Sequence, residues 1–337
     1  MKDILSMLPD EIESEISGFR GRQVVEWIGK GVSSFDEMTN LPKGLREELK
    51  NKYSIFRPKP ISKMVSDEDG TIKYLWELYD GNAVETVVMH YSYGNTVCIS
   101  TQVGCAQGCA FCASTIGGKV RNLEPSEMLN EVLCSQMDSG CCISNVVLMG
   151  IGEPLDNYEN VIRFLRLVNH PKLMNIGMRH ISLSTYGITE RFEDLANENL
   201  QLTLAVSLHA PDDDTRSRIM PSNRKRGVDS IIEACTMYYK KTGRRVSFEY
   251  AMIDGINDSD EQAERLSEIA KKVGAHVNLI PLNHVKESRF EPSSELRMKS
   301  FTGILDKNHV NYTVRRKLGS DVDASCGQLR RKYLSDK

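Results

Sequence analysis

The sequence lacks a long hydrophobic run and carries little net charge. None of its 337 residues lies in an apolar stretch of the ~18 residues that a membrane span needs. The opening MKDILSMLPDEIESEI is acidic and lacks the apolar core of a signal peptide, so we expect a cytoplasmic protein without membrane contact. With 43 basic and 46 acidic residues the net charge is −3, and any nucleic-acid binding must therefore come from local basic patches.

The composition is that of a globular protein. Hydrophobic residues make up 40% of the chain and charged residues 26%, which excludes wholesale disorder, collagen and a disulfide-stapled miniprotein. In a cytosolic chain, the nine cysteines are metal ligands, catalytic thiols or buried apolar residues more often than disulfides.

The first part of the chain combines helices with a hairpin. Helical periodicity covers Met1–Ser17, Arg20–Gly31 and residues 45–52. The segments TIKYLWEL and AVETVVM then predict two strands joined by Asp80-Gly81-Asn82, a strong hairpin signal.

From about Thr96 onward, short apolar runs alternate with amphipathic helices. The predicted strands are TVCIST, NVVLMG, HISLST, LTLAVSL, RVSFEYAMI and HVNLIPL, and the helices lie near residues 124–138, 157–169, 189–197, 228–242 and 260–273. This order favours a parallel sheet, either open or closed into a barrel. Polar residues follow five of these strands, as in the active sites of β/α barrels, although each alone could be an ordinary cap or turn residue.

The strongest single motif is GCAQGCAFCAS, which places Cys105, Cys109 and Cys112 on one glycine-containing loop. Three cysteines cannot complete a tetrahedral zinc site, and no fourth cysteine lies nearby at zinc-finger spacing. Three cysteines can hold a four-iron cluster and leave one iron open for catalysis. The alternative is a chance grouping, which is disfavoured because clustered thiols are reactive unless metallated.

CxxxCxxC with an aromatic residue before the last cysteine resembles the radical S-adenosylmethionine (SAM) superfamily. The whole chain resembles its RlmN branch more specifically. The matching segments are AVETV, CISTQVGCAQGCAFCAST, MGIGEP, HISLST, SLHAP, IMPSNR, FEYAMIDGINDS, HVNLIPLN and DVDASCGQLR. The related Cfr branch has GEA in place of GEP and NLIRYN in place of NLIPLN, so both segments favour RlmN. Ser222 departs from the isoleucine usual in the family, and its loop could contact RNA.

The resemblance implies an α/β fold, a radical SAM partial (β/α)6 barrel with additions at both ends. We expect an N-terminal helical domain over residues 1–60, a β-hairpin connector over 61–95, the barrel over 96–290, and a C-terminal helix and strand extension over 291–337 that carries Cys326.

The implied activity is methylation of carbon 2 of adenine 2503 in 23S rRNA and adenine 37 in tRNA. The implied cofactors are a [4Fe-4S] cluster held by Cys105, Cys109 and Cys112, and two SAM molecules per turnover. The partners would be both RNAs and an external one-electron reductant of flavodoxin or ferredoxin type, and we expect a monomer. The basic clusters 224–226, 240–245 and 315–337 are candidate RNA contacts, although solvated charge is their ordinary interpretation.

Three residues receive catalytic roles from the resemblance. Cys326 would carry a methyl group as S-methylcysteine, Cys98 would attack its sulfur to release the methylated RNA, and Glu85 would take the carbon-2 proton. Composition and strand alternation alone would favour buried packing cysteines and a water-facing glutamate.

The resemblance also implies a SAM site. Its residues would be Gly152, Glu153, Ser184, Ser207, Leu208, His209 and Asn283. Cys134, Cys141, Cys142 and Cys235 match no motif and receive no role. Two rival functions remain open from the sequence: carbon-8 methylation by the same machinery, and a non-catalytic iron–sulfur or zinc protein associated with RNA.

Overall fold

A computed structural model describes residues 1–16, 18–282, 290–322, 329–330 and 333. The strands are β1 (Lys2–Asp3), β2 (Tyr53–Ser54), β3 (Lys59–Val65), β4 (Ile72–Glu77), β5 (Ala83–Tyr91), β6 (Gly94–Cys98), β7 (Gln102–Gly104), β8 (Lys119–Asn122), β9 (Ile143–Leu148), β10 (Ile181–Thr185), β11 (Thr203–Ser207), β12 (Ser247–Met252), β13 (His276–Pro281) and β14 (Tyr312–Val314). The α-helices are α1 (Pro9–Glu15), α2 (Phe19–Gly29), α3 (Lys43–Lys52), α4 (Pro125–Ser139), α5 (Tyr158–Asn169), α6 (Phe192–Asn197), α7 (Asp213–Ile219), α8 (Val228–Thr242), α9 (Asp260–Val273) and α10 (Glu295–Lys307).

Within these residues, ten strands form one mixed sheet in the order β14-β13-β12-β11-β10-β9-β6-β5-β4-β3. The six strands predicted from the alternating pattern are all present and run parallel from β6 to β13, which confirms the predicted α/β fold. Strand β14 adds a seventh parallel strand at the edge. The five helices predicted between these strands are also confirmed, with the third one divided into a short 3-10 turn and α6.

Apolar residues from both strands and helices fill the space between the sheet and its helices. Leu148, Leu183, Leu204 and Phe248 on successive strands are buried in the same cluster as Phe164 on α5. Strands that are covered on both faces read as near-continuous hydrophobic runs, and this explains why the barrel strands stand out in the sequence.

The predicted hairpin is present and extends the sheet. Strand β4 pairs antiparallel with β5 across a turn in which Asp80 Oδ1 accepts the Asn82 N–H at 3.1 Å. Strand β5 then pairs antiparallel with β6, with Val87 opposite Cys98. Residues of the hairpin thereby join the first strand of the parallel sheet.

The N-terminal module has a hydrophobic cluster of its own, which includes Ile4, Val24, Phe35 and Tyr53. Its first residues correct the helix predicted over Met1–Ser17. Lys2 and Asp3 form β1, which pairs parallel with β2, and α1 starts only at Pro9. Proline favours the first turn of a helix, where its missing N–H costs nothing.

The C-terminal extension returns to the hairpin end of the sheet. After α10 and β14, Asp321 accepts hydrogen bonds from the Ser66 hydroxyl at 2.7 Å and from the Asp67 N–H at 2.9 Å. The Gly319 N–H donates to Asp69 at 2.8 Å. These bonds attach the extension to the β3–β4 turn. In the part of the chain that the structure describes, no helix is long and apolar enough to cross a membrane.

Candidate active site

The three motif cysteines lie on the loop between β7 and β8. The two strands pair antiparallel and bring the ends of the loop together at Gly104 and Lys119. Gly104 has φ = 78°, and a side chain there would meet the Gly118 carbonyl oxygen at 2.0 Å. Glycine is therefore required at this position, because the two backbones approach too closely for a Cβ atom.

All three thiols border one cavity of about 290 Å³ at the C-terminal ends of the parallel strands. Burial raises the pKa of Cys105 to about 12 and raises the pKa of Cys109 well above its usual value, and neighbouring cysteines raise both further. Three buried thiols that disfavour each other's ionisation suit a cationic centre that would bind them as thiolates.

The donor set fits a cluster better than a single ion. Among the described residues, no three His, Cys, Asp or Glu side chains converge closely enough to hold one metal ion. In a four-iron cluster each cysteine binds a different iron, so its thiols lie farther apart than the ligands of one ion. Three sulfur donors along one cavity wall therefore match the cluster that the motif predicts.

The cavity also collects most of the residues predicted to bind SAM. Its lining includes Gly152, Glu153, Ser184, Ser207 and His209. Leu208 is fully buried and packs in the main core. Asn283 lies outside the described residues. The parallel strands explain this convergence, since Ser184 and Ser207 occupy the ends of β10 and β11.

Glu153 borders the cavity, but its carboxylate is held by its own chain. It accepts hydrogen bonds from the Thr185 hydroxyl at 2.7 Å and from the N–H groups of Tyr186 at 2.6 Å and Leu155 at 3.0 Å. Burial raises the pKa of Glu153 to about 7, although these bonds oppose the shift. Gly152 before it has φ = 112°, and a Cβ there would meet Gln102 at 2.6 Å.

His209 is buried in a left-handed backbone conformation, with φ = 56°. Its Nδ1 accepts the Ala251 N–H at 2.9 Å, and its ring lies edge-to-face with Phe111 at 5.0 Å. Burial lowers the pKa of His209 to about 3, and the Arg216 charge lowers it further. The imidazole is therefore neutral at pH 7.

Arg216 on α7 is a structural element of the site that the sequence did not indicate. Its fully buried guanidinium donates to the carbonyls of Leu208 at 2.9 Å, Tyr186 at 2.7 Å and Ser207 at 3.0 Å. It also donates to Asn223 Oδ1 at 2.5 Å. Arg216 thus fixes the backbone that follows β10 and β11, from behind the cavity.

Glu249 is a second residue that the sequence did not indicate. It lies on β12, borders the cavity and is buried, with Asn278 Nδ2 donating to it at 2.8 Å. Burial raises the pKa of Glu249, and Arg315 acts in the opposite direction. A glutamate inside an apolar strand pattern was the only sequence signal for this position.

Glu85 and Cys98 occupy neighbouring strands beside the cavity without lining it. Glu85 is buried, 3.1 Å from the Lys73 ammonium, so the structure does not support the water-facing interpretation. The Arg330 N–H donates to Glu85 at 2.6 Å, and the Arg330 side chain donates to the Ala83 carbonyl at 3.0 Å. Cys98 is buried against Val87 and Met89.

These two hydrogen bonds place Arg330 against β5. Cys326 itself lies outside the described residues. Arg330, which the sequence groups with the basic C-terminal residues, is buried and bonded rather than exposed for RNA. Of the four cysteines without a role, Cys235 is buried in the core, Cys134 and Cys141 are half-buried and Cys142 is exposed.

Comparisons with known proteins identify the family of this chain. Residues 99–266 match the model of the radical SAM superfamily, and residues 12–55 match that of the ribosomal RNA large subunit methyltransferase N-terminal domain. The chain is 49% identical to a probable dual-specificity RNA methyltransferase RlmN of Clostridium tetani, covering 96% of this chain and 93% of the relative. It is 47% identical to the protein of the same name from Clostridium novyi, covering 99% of both.

Two solved structures are similar as well. A radical SAM methyltransferase from Sphaerobacter thermophilus superimposes with a TM-score of 0.92 at 40% identity, covering 97% of this chain and 99% of that chain. SuiB from Streptococcus suis, solved with S-adenosylmethionine bound, has a TM-score of 0.51 at 14% identity, covering 66% of this chain and 50% of that chain, and shares the fold alone.

Proposed function

Because this chain belongs to the RlmN family of radical SAM RNA methyltransferases, we propose that it methylates carbon 2 of an adenine in 23S rRNA and in tRNA. It is a methyltransferase whose superfamily uses a [4Fe-4S] cluster and SAM. The observation that carries the proposal is the single cavity that gathers the three motif cysteines with five of the residues predicted to bind SAM.

Different residues around the cavity would bind the cluster and SAM. Cys105, Cys109 and Cys112 would hold the cluster, the segment Gly152–Glu153 would receive the SAM ammonium, and Ser184 and Ser207 would bond its polar groups. When bound, the cluster and SAM supply a deoxyadenosyl radical by one-electron cleavage, with the electron delivered by a flavodoxin- or ferredoxin-type protein. Burial raises the pKa of Glu153 to about 7, and an ammonium group beside it would favour the ionised carboxylate, while its hydrogen bonds hold the segment in place.

Cys326 is proposed to carry the methyl group to the RNA. Carbon 2 of adenine is electron-poor and has no acidic proton, so a polar methyl transfer finds no nucleophile there. A carbon radical made by removing one hydrogen from S-methylated Cys326 can add to that carbon and tie the RNA to the protein. Support comes from the described ends of this segment, since Asp321 is bonded to Ser66 and Arg330 to Glu85.

Glu85 is proposed to take the carbon-2 proton on its carboxylate. It is the buried acid on the inner side of β5, on the strand that pairs with the strand of Cys98. The Lys73 ammonium lies 3.1 Å from it and supplies the charge partner that a buried acidic side chain needs. The Arg330 N–H fixes one of its oxygens.

Cys98 is proposed to end the reaction. Once the adduct has lost the carbon-2 proton and given its unpaired electron to a one-electron acceptor, the Cys98 thiolate would attack the Cys326 sulfur and form a disulfide. The two electrons of the broken sulfur–carbon bond would stay on the released carbon, which takes up a proton and becomes the methyl group. Cys98 and Glu85 lie on the same side of adjacent strands, because Val87, two residues from Glu85, pairs with Cys98. Two described residues of the C-terminal extension contact this region, since Leu318 packs against the cluster of Cys98 and the Arg330 N–H donates to Glu85.

Product analysis tests the proposal. The reconstituted protein is incubated with SAM, a reductant and either a 23S rRNA fragment or tRNA, and the digested nucleosides are compared with 2-methyladenosine and 8-methyladenosine by mass spectrometry. We expect 2-methyladenosine from both RNAs. A product that coelutes with 8-methyladenosine would assign the chain the Cfr-type reaction, and the absence of any methylated adenine would remove the proposed function.

A further inference from the structure

The turn between β5 and β6 exposes two stacked tyrosine rings. The rings of Tyr91 and Tyr93 are nearly parallel, with an interplanar angle of 8° and 5.0 Å between their centroids. Tyr93 is 69% exposed, so one face of the stack is open to solvent. An aromatic side chain in a tight turn buries little apolar surface of its own, and folding alone does not require it there.

Tyr91 attaches the stack to the buried interior of the protein. Tyr91 packs against the buried cluster of Val87, Met89 and Cys98, and its hydroxyl lies 3.6 Å from Met89 Sδ. Gly94 ends the turn with φ = 129°, where a side chain would meet Ser144 Oγ at 2.2 Å. The platform is therefore preorganised, which lowers the entropic cost of binding a flat ligand on its outer face.

Positive charge lies beside the same rings. Leu318, which follows Arg315, Arg316 and Lys317 in the chain, packs against the same buried cluster as Tyr91. Burial raises the pKa of Tyr91, and the charges of Arg315 and Arg316 oppose this shift. Arg315 also borders the cavity that holds the motif cysteines. Arg316 and Lys317 are exposed. The chain segment that carries these cations thus contacts both the reaction cavity and the cluster beneath the tyrosine stack.

We propose that Tyr93, stacked on Tyr91, is a platform for an unpaired nucleobase of the RNA substrate. Arg316 and Lys317 would hold adjacent phosphates. An adenine can enter the cavity only after it leaves its stack, so the substrate RNA presents unpaired nucleotides to the protein. Exposed aromatic faces beside cations are the arrangement that binds single-stranded RNA. This inference rests on the proposed function for its substrate class.

Equilibrium binding tests the platform. Fluorescence anisotropy would measure the Kd of the reconstituted protein for a fluorescein-labelled, unstructured, adenine-containing RNA oligonucleotide. Loss of one base–aromatic stack should raise the Kd of Tyr93→Ala by at least about fivefold. Tyr93→Phe keeps the stacking face and should bind like the wild type. Tyr239→Ala removes a tyrosine that is 43% exposed on α8 and should also bind like the wild type.

Each of three results would overturn the platform: an unchanged Kd for Tyr93→Ala, a Tyr93→Phe variant that binds as weakly as Tyr93→Ala, or an equal loss of affinity in Tyr239→Ala.

The salt dependence of binding tests the phosphate contact separately. If Arg316 contacts a phosphate, Arg316→Ala should reduce the slope of log K against log salt by a little under one. A wild-type enzyme that methylates no adenine in a 23S rRNA fragment or tRNA would contradict the proposed function, whereas normal methylation of these RNAs with an unchanged Kd for Tyr93→Ala would contradict only the platform.

Discussion

Individual residues differ in how much of their role the sequence reveals. The three motif cysteines could be predicted because their spacing alone brings them together on one loop, and the structure places all three on the cavity. Arg216 could not be predicted, since its hydrogen-bond partners at Tyr186, Ser207 and Leu208 depend on how α7 packs behind the strands. The spacing of residues within one loop can be read from the sequence, whereas packing contacts between distant elements cannot.

Cluster binding should fail when any one motif cysteine is lost. Cys112→Ala leaves two thiols, which cannot hold the cluster firmly, so we expect iron to fall from about four per chain to near zero. Cys142→Ser changes an exposed cysteine outside the cavity and is the matched control. Iron analysis of anaerobically reconstituted protein checks this, and full iron content in Cys112→Ala would disprove its assignment as a ligand.

The loss of Cys98 should trap the reaction before release. Radical addition needs only methylated Cys326, so Cys98→Ala should accumulate a protein–RNA adduct that appears on a denaturing gel as a band sensitive to ribonuclease. The Cys98/Cys326 double variant should lack that band. If Cys98 only packs against Val87 and Met89, its truncation would cost some stability and leave nearly normal methylation without an adduct.

His209 should make stability depend on pH in a known direction. Its folded pKa of about 3 lies below the value of about 6.5 in the unfolded chain, so protons bind the unfolded state preferentially between these values. The stability that neutral His209 contributes to the folded state is therefore fully present above about pH 6.5 and is lost as the pH falls towards 3.

The His209→Asn variant isolates this contribution. Asparagine tolerates φ = 56°, and its oxygen can replace Nδ1 as the acceptor for Ala251 without titrating. Between pH 6 and 4.5 the unfolding free energy of the wild type should fall faster than that of the variant by about 1 kcal/mol per pH unit. Parallel curves from denaturant titrations would show that His209 is not held neutral.

Elements of secondary structure were more predictable where their pattern was long. All six apolar strands and the helices between them appear where periodicity placed them, because each is buried on a repeating face. Periodicity did not predict the shorter elements. Strand β1 lies where the first predicted helix was expected to begin, and the seven-residue helix α7 was not predicted. Such elements depend on their tertiary contacts more than on their own periodicity.

Arg216 on helix α7 should stabilise the backbone that borders the cavity. Lysine cannot reproduce four hydrogen bonds of a guanidinium, so Arg216→Lys would leave buried carbonyl oxygens without donors, at about 1–3 kcal/mol. We expect a lower melting temperature and weaker SAM binding in equilibrium dialysis. Arg218→Lys, at an exposed position of the same helix, is the control. Equal behaviour of the two variants would argue against an anchoring role.

The whole molecule brings together residues that are far apart in the sequence. Glu85 contacts Arg330 and Ser66 contacts Asp321, so these described C-terminal residues close onto β5 and the β3–β4 turn. A sequence pattern predicts which elements form, but contacts across such separations follow from the order in which strands join the sheet. This closure is what makes a reaction shared by Glu85, Cys98 and the C-terminal segment physically reasonable.

The central claim is that the RNA receives its new carbon as a methylene group from Cys326. The direct measurement uses SAM with a fully deuterated methyl group, tRNA as substrate and mass spectrometry of the methylated adenosine, with Cys326→Ala as the control that should give no product. One deuterium is removed from the Cys326 methyl before transfer, so the account predicts a product methyl with two deuteriums. A product methyl with three deuteriums would show intact methyl transfer and contradict the account.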